Sequence, residues 1–455
     1  MAIESINPAT GERLRSYPAL SAREAIRRLE RAEQAFVAWR RAPFAQRAAI
    51  LRAAGERLRQ RADASAVLMA QEMGKPVTQG RAEVEKCAWA CDYYAEHAEH
   101  FLAPEPMPTD ASKSFVAFEP LGIILAVMPW NFPFWQVFRA AVPALMAGNA
   151  VALKHASNVP GCALAIEELF REAGLPEGLC SALLVETAAV GDLIAHPLVA
   201  GVTLTGSTQA GGAVAAQAGR HLKKTVLELG GSDPYLILAD ADIEAAAAAC
   251  AASRLVNSGQ SCIAAKRFIV EAPVRRRFEE RLVATMREAR MGDPLDEAVA
   301  VGPLARHDLR EVLHRQVTQS LAAGARCLLG GTIPDSPGAY YPPTVLTDVR
   351  KGMPAYEEET FGPVAAVLEA ADEAEAVRLA NDSRFGLGAA VFTGDPHRGE
   401  RIAVTQLEAG ACFVNGAVHS DPRLPFGGVK RSGYGRELGM FGIREFVNVK
   451  AVSVR

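Results

Sequence analysis

Apolar positions recur every three to four residues through AREAIRRLERAEQAFVAWRRA and onward to Met73, with charged residues filling the positions between. This spacing predicts two solvent-facing amphipathic helices over residues 22–73. A further helical stretch runs from about Arg81 to Phe101. Pro104, Pro106 and Pro108 then break the pattern, and the alternation in SFVAFEP predicts a strand. From Leu121 the texture changes to short β-rich runs, each followed by a helical one. GIILAVM, NAVALKH, SALLVE and GVTLTG read as strands. FWQVFRAAVPALMAG (ended by Gly148), CALAIEELFREAG, GDLIAHP and TQAGGAVAAQAG read as the intervening helices.

This alternation predicts a doubly wound parallel sheet, which takes ligands at the carboxyl edge of its strands. A second α/β unit follows from near Gly230 to about Pro425. It contains an Ala-rich helix after Asp242, the strand KRFIV, the helix RRRFEERLVATMREA and the strand AAVFTG. The last nine residues, VNVKAVSVR, alternate cleanly and would leave an open sheet edge unless paired with SFVAFEP or with another subunit.

Composition narrows the class. A chain of 455 residues exceeds one ordinary core and predicts two or three domains. Its 49 basic and 52 acidic side chains nearly cancel, and no basic stripe offers a face to nucleic acid. The most apolar stretch, Leu121 to Trp135, is cut by Pro129 and Pro133 and is too short to span a bilayer, so no membrane partner is expected. The first residues carry no basic-then-apolar leader. The eight cysteines are scattered, without a CxxC or a zinc-spaced Cys/His cluster. No metal is therefore expected, and a reducing cytoplasm fits.

Four short segments carry candidate chemistry. NSGQSC presents Cys262 among small polar neighbours, where a thiol is reachable, whereas a cysteine on a helical face packs as a small hydrophobe. LELGG sets Glu228 between two leucines. Such a glutamate either ends a strand with its head in water, or is a general base whose pKa an apolar site lifts toward neutrality. PWNFP fixes Asn131 between two prolines, either as part of a rigid turn or as an amide donor preset for an oxyanion. LTGST places Gly206 and Ser207 at a strand-to-helix turn, where helix N–H groups can meet a phosphate, although ordinary Ser caps look the same. Neither GxGxxG nor GxxxxGK[ST] occurs.

Taken in order, MPWNFP, ALKHAS, LTGSTQAG, LELGGSDP, NSGQSC, EETFGPV and PFGGVKRSGYGRELG resemble the motifs of the aldehyde dehydrogenase superfamily over essentially the whole chain. Within it, the chain is similar to bacterial succinate-semialdehyde dehydrogenases. The resemblance implies a Rossmann-like cofactor domain (1–101 and 121–229), an α/β catalytic domain (230–425) and a small β oligomerisation element (102–120 and 426–455). It implies Cys262 as nucleophile, Glu228 as general base, and Asn131 with the Cys262 N–H as oxyanion hole. NAD or NADP would be held by Lys154 and Ser157 at the ribose, Ser207 and Gly206 at the pyrophosphate, and Met128, Trp130 and Leu229 along the cleft. Glu359 and Phe361 would hold the nicotinamide end. Glu437 either joins a polar relay or is structural.

Where NAD-selective relatives often carry Glu, Ser157 stands here, so use of NADP as well as NAD is expected. Arg139 and Ser420 match positions that grip a distal carboxylate in relatives acting on succinate semialdehyde. The second arginine common in those relatives is Val256 here, with Arg254 close by. Glutarate semialdehyde and uncharged aldehydes are alternative substrates, and a homodimer or homotetramer is the expected assembly.

Overall fold

Five parallel strands, in the spatial order Cys180–Ala182, Ala150–His155, Ile123–Met128, Val199–Thr205 and Lys224–Glu228, form the first sheet of the computed structural model, which describes residues 2–455. By sequence this is the order 3-2-1-4-5. The chain direction across the sheet therefore reverses between Ile123–Met128 and Val199–Thr205, and a crevice opens beyond their carboxyl ends. The strands are apolar along their length because both faces are covered. The helix Trp135–Ala147 is buried at every position and stops at Gly148, whose φ of 100° lies in the left-handed region that glycine adopts freely.

The second sheet has seven strands. Pro234–Ile237 lies between Arg267–Glu271 and Gly388–Phe392, with Val364–Ala370, Thr344–Thr347 and Arg326–Leu329 on one side and Ala411–Val414 on the other. Only the pairing of Arg326–Leu329 with Thr344–Thr347 is antiparallel.

Three expectations need correction. Residues 22–73 form three helices, Ala22–Trp39, Phe44–Gln60 and Ala62–Met73. The last break is a backbone kink at Arg61 with no proline or glycine to announce it. Nor do these helices merely face solvent, since Leu29, Phe36, Leu51, Leu58 and Met69 enter the core. The strand expected over SALLVE covers only its beginning, and an unexpected hairpin joins Ala2–Ile6 to Arg13–Pro18.

The carboxyl-terminal strand Val447–Val454 pairs antiparallel with Lys113–Pro120 along its full length, the first of the two pairings expected. Just upstream, Gly433–Tyr434 pairs with Lys224–Glu228, carrying the motif GYGREL to the edge of the first sheet beside Glu228. No helix among the described residues is long and apolar enough to cross a membrane.

Candidate active site

The Asn131 turn leaves the strand Ile123–Met128 at the crevice and is braced from three directions. Glu83 Oε1 accepts the N–H groups of Phe134 and Trp135, each at 2.9 Å, so a buried carboxylate sits at the start of the helix Trp135–Ala147. Lys75 neutralises Glu83 from the other side and lies 3.6 Å from the centre of the Phe132 ring. His155 receives the Ala156 N–H on Nδ1, so its proton sits on Nε2, which donates to the Pro133 carbonyl at 2.9 Å. Burial pushes its pKa down to about 4, which keeps this ring neutral.

The Cys262 loop is unusual in its backbone. Asn257 and Ser258 have φ of 52° and 55°, followed by Gly259 at 76°, three successive left-handed residues. Each such non-glycine residue costs about 1–2 kcal/mol, so the loop persists only because its surroundings hold it. Asn257 Nδ2 donates to the Asn131 carbonyl at 2.6 Å, and Ser258 Oγ accepts the Gly302 N–H at 2.9 Å. Arg254 turns inward to the Gly259 carbonyl at 2.6 Å. Buried Lys266 donates to the carbonyls of Ser261, Cys262 and Ala264. A side chain on Gly259 would meet the Gly362 carbonyl carbon at 2.2 Å. Gly259→Ala should therefore lower kcat by about 10²-fold or more by displacing the thiol; a wild-type rate for this variant would show the loop conformation to be irrelevant.

Asn131 Nδ2 donates one hydrogen to the Gln260 carbonyl at 3.1 Å. The Cys262 N–H meets no acceptor among the described residues. An amide with a hydrogen to spare and an unclaimed backbone N–H beside a thiol form a donor pair suited to an oxyanion. Burial pushes the Cys262 thiol up to about 12, while the charges of Arg139 and Lys266 pull it down. At neutral pH it rests as the thiol.

Two cavities meet at Cys262. One, of about 250 Å³, is lined by Trp130, Asn131, Gly206, Ser207, Leu229, Glu359 and Phe361, all expected from sequence. Trp130 and Phe361 stand edge to face with ring centres 5.7 Å apart. The Glu359 carboxylate accepts the Gly231 N–H at 3.1 Å and lies so close to Gly230 that a Cβ there would fall 2.4 Å from it. Ser207 caps the helix Thr208–Arg220, whose first N–H groups face this turn.

Further out, Met128 is buried opposite His155 and does not line this cavity. Lys154 lies buried one residue before the end of its strand, with no carboxylate within 4 Å among the described residues, and Ser157 lies exposed just beyond. Burial alone lowers the Lys154 pKa.

The second cavity, about 410 Å³, opens on the other side of the thiol. Arg139, Ser420, Val256, Trp135, Phe426 and Lys86 are among its walls. Arg139 is ion-paired with Glu437 and donates to Thr205 Oγ1 at 3.3 Å. Arg254 points away, into the thiol loop. Lys86 was not anticipated, because within a helix rich in charge nothing distinguishes it from a solvated lysine.

Glu228 is the expected residue that the structure does not bring to the thiol. It lines neither cavity. Its carboxyl is buried against Gly427, where a Cβ would fall 2.7 Å from Oε1, and neither oxygen has a hydrogen-bond partner. Burial and then the Glu437 charge hold its pKa well above the carboxylate range, against Arg139 and Arg436.

A doubly wound sheet, a second parallel sheet and a thiol where two cavities meet define a dinucleotide-binding α/β oxidoreductase. The pattern described as the aldehyde dehydrogenase family matches residues 1–452, and the chain belongs to that family. It is 52% identical over 452 residues to a probable NADP(+) succinate-semialdehyde dehydrogenase of Synechocystis, covering 99% of each chain. It is 50% identical over 448 residues to an NAD(P)+ succinate semialdehyde dehydrogenase of Escherichia coli, covering 98% of this chain and 97% of the relative. Among solved structures, succinic semialdehyde dehydrogenase from Streptococcus pyogenes in complex with NADP+ superimposes with a TM-score of 0.97 at 38% identity, covering all of both chains.

Proposed function

We propose that this protein oxidises succinate semialdehyde to succinate, with NADP or NAD as hydride acceptor, through a thioester on Cys262. The observation that carries this reading is the position of one thiol between a cavity shaped for a cofactor and a cavity that bears cations. Residues 1–101 and 121–229 would form the cofactor-binding domain and residues 230–425 the catalytic domain that carries the thiol, with 102–120 and 426–455 as the oligomerisation element. Lys154 and Ser157 would hold the ribose end, the Gly206–Ser207 turn the pyrophosphate, and Trp130, Glu359 and Phe361 the nicotinamide end. When bound, the cofactor supplies the electrophile that accepts hydride.

The chain's own residues do the rest. The Cys262 thiol gives up its proton to solvent and its sulfur adds to the aldehyde carbon, and the carbonyl oxygen takes negative charge facing Asn131 Nδ2 and the Cys262 N–H. Loss of hydride from that carbon restores the C=O bond and leaves a thioester. Glu228, turned from its buried pose into the cleft and ionised there, then removes a proton from water. The oxygen attacks, the C–S bond breaks, and Cys262 leaves as thiolate to be reprotonated. Both adducts use the same two donors. Arg139 and Ser420 line the cavity that would take the distal carboxylate.

The open edge of Val447–Val454, with Val449 and Val454 exposed, suits addition of a second copy in a homodimer or homotetramer. Eight unpaired cysteines suit a cytoplasmic setting.

The test compares kcat/KM for succinate semialdehyde, glutarate semialdehyde and butanal with each cofactor. The four-carbon acid should lead, and NADP should be used. A preference for NAD above roughly a thousandfold, about 4 kcal/mol, would remove the NADP assignment. Ser157→Glu should shift the NADP-to-NAD ratio toward NAD by about a hundredfold, because a carboxylate there accepts the ribose hydroxyl and repels a 2′-phosphate.

A further inference from the structure

The cavity on the substrate side holds two permanent or near-permanent cations, and their circumstances differ. Arg139 is committed to Glu437. Lys86, on the helix Val77–Phe101, has no carboxylate within 4 Å among the described residues. The nearby acidic groups are already matched: Glu83 to Lys75 and Asp421 to Arg423. Lys86 Nζ instead donates to Ser420 Oγ at 2.8 Å and sits 4.6 Å over the Trp135 ring. Trp135 Nε1 donates to the same Ser420 oxygen at 3.1 Å.

A hydroxyl has two lone pairs and one proton, and here both lone pairs are taken. The Ser420 O–H has no acceptor among the described residues, and the ammonium keeps two unused N–H donors. Three donors converge on an apolar-walled cavity that also contains the Cys262 thiol. Val256, also in the lining, adds no charge. A group that accepts from all of them and cancels the free ammonium is a carboxylate.

We propose that Lys86, together with the Ser420 hydroxyl, receives the terminal carboxylate of the substrate and so makes this site selective for ω-carboxylated aldehydes. The assignment rests on the substrate reading above and names the group that enforces it. Arg139, held by Glu437, lines the same cavity and has the largest effect on the thiol of the charges around it.

Burial and the charge of Arg139 push the Lys86 pKa down to about 8. The titratable and charged groups around it are Glu83 and the Cys87 thiol on its own helix, Arg139 on the helix Trp135–Ala147, and Asp421 next to Ser420. The anchor is therefore charged below about pH 8 and fades above it. Dividing kcat/KM for succinate semialdehyde by that for butanal cancels the titration of Cys262, which both aldehydes share, and leaves that of Lys86.

The experiment measures this ratio for the wild type, Lys86→Met and Lys86→Arg between pH 6.5 and about 9.5, with NADP binding followed by fluorescence as the check on folding. Lys86→Met should lower the ratio about 10- to 100-fold, the usual weight of a charge-assisted hydrogen bond, mainly through KM. Lys86→Arg, which keeps a charge and donors, should recover most of it. The decline of the ratio above about pH 8 should vanish in Lys86→Met. An unchanged ratio in Lys86→Met, with a wild type that still prefers the acid, overturns this assignment and leaves the substrate reading standing. A wild type with no preference for the acid overturns both.

Discussion

Cys262→Ser is expected to bind NADP as the wild type does and to lose at least about a thousandfold in kcat, the scale seen when a covalent nucleophile is removed. The substitution preserves size, so the cavity lined by Trp130, Glu359 and Phe361 keeps its shape. Only the nucleophile changes. The thiol already sits at the upper end of its range, pushed up to about 12 by burial, with Arg139 and Lys266 opposing. A serine hydroxyl is less acidic still and forms a much weaker nucleophile at the same place.

The same logic sets a pH dependence. With the thiol pKa above the working pH, the thiolate fraction grows about tenfold per pH unit, so wild-type kcat/KM should climb through neutral and alkaline pH. Alkylation offers a second check. Cys87, Cys91, Cys162, Cys180 and Cys250 are buried, with thiols that burial raises, and should resist reagent. Loss of activity should track modification of Cys262, with any labelling of exposed Cys327 being silent. Turnover that survives either the serine or the alkylated thiol would sink the covalent route.

How far the site could be read in advance follows the range over which each feature is determined. The Asn131 turn is local: two prolines and a preceding strand say where it is, and the braces from Glu83 and His155 only stiffen it. Cys262 stands out for the same reason, in a run of small polar residues. The conformation of its loop does not, because Asn257 and Ser258 adopt left-handed backbone without being glycine, held by partners at Asn131 and Gly302. Lys86 is legible only in three dimensions, once Ser420 arrives from more than 300 residues away. The strands and helices between Leu121 and Arg220 follow their hydrophobic periods, whereas the kink at Arg61 has no sequence marker and the second sheet's short strands carry little period to detect. Glu228 divides the same way. Its place at a strand end before two glycines is in the sequence, but the direction of its side chain is set by Gly427 and Glu437 on the carboxyl-terminal segment.

That direction gives Glu228→Gln its signature. Acylation does not require Glu228, so the variant should release about one equivalent of reduced cofactor per subunit in a fast burst. Hydrolysis of the thioester does require a base, and steady-state kcat should then fall by about 10²- to 10⁴-fold. The wild type should show pH dependence in the second phase. Burial and then the Glu437 charge raise the carboxyl pKa well above the ordinary carboxylate value. A group with a raised pKa carries its proton at low pH and becomes a base as pH rises, so the hydrolytic rate should increase with pH through a midpoint above the carboxylate range. Glu228→Gln, which cannot ionise, should flatten that limb while leaving the burst amplitude intact. Since the glutamine is nearly the same size and occupies a site where neither carboxyl oxygen is bonded, loss of folding is a weak explanation for any deficit. Wild-type turnover without a burst would mean that water is activated by another group, and a burst that disappears along with turnover would move Glu228 to the acylation half of the reaction.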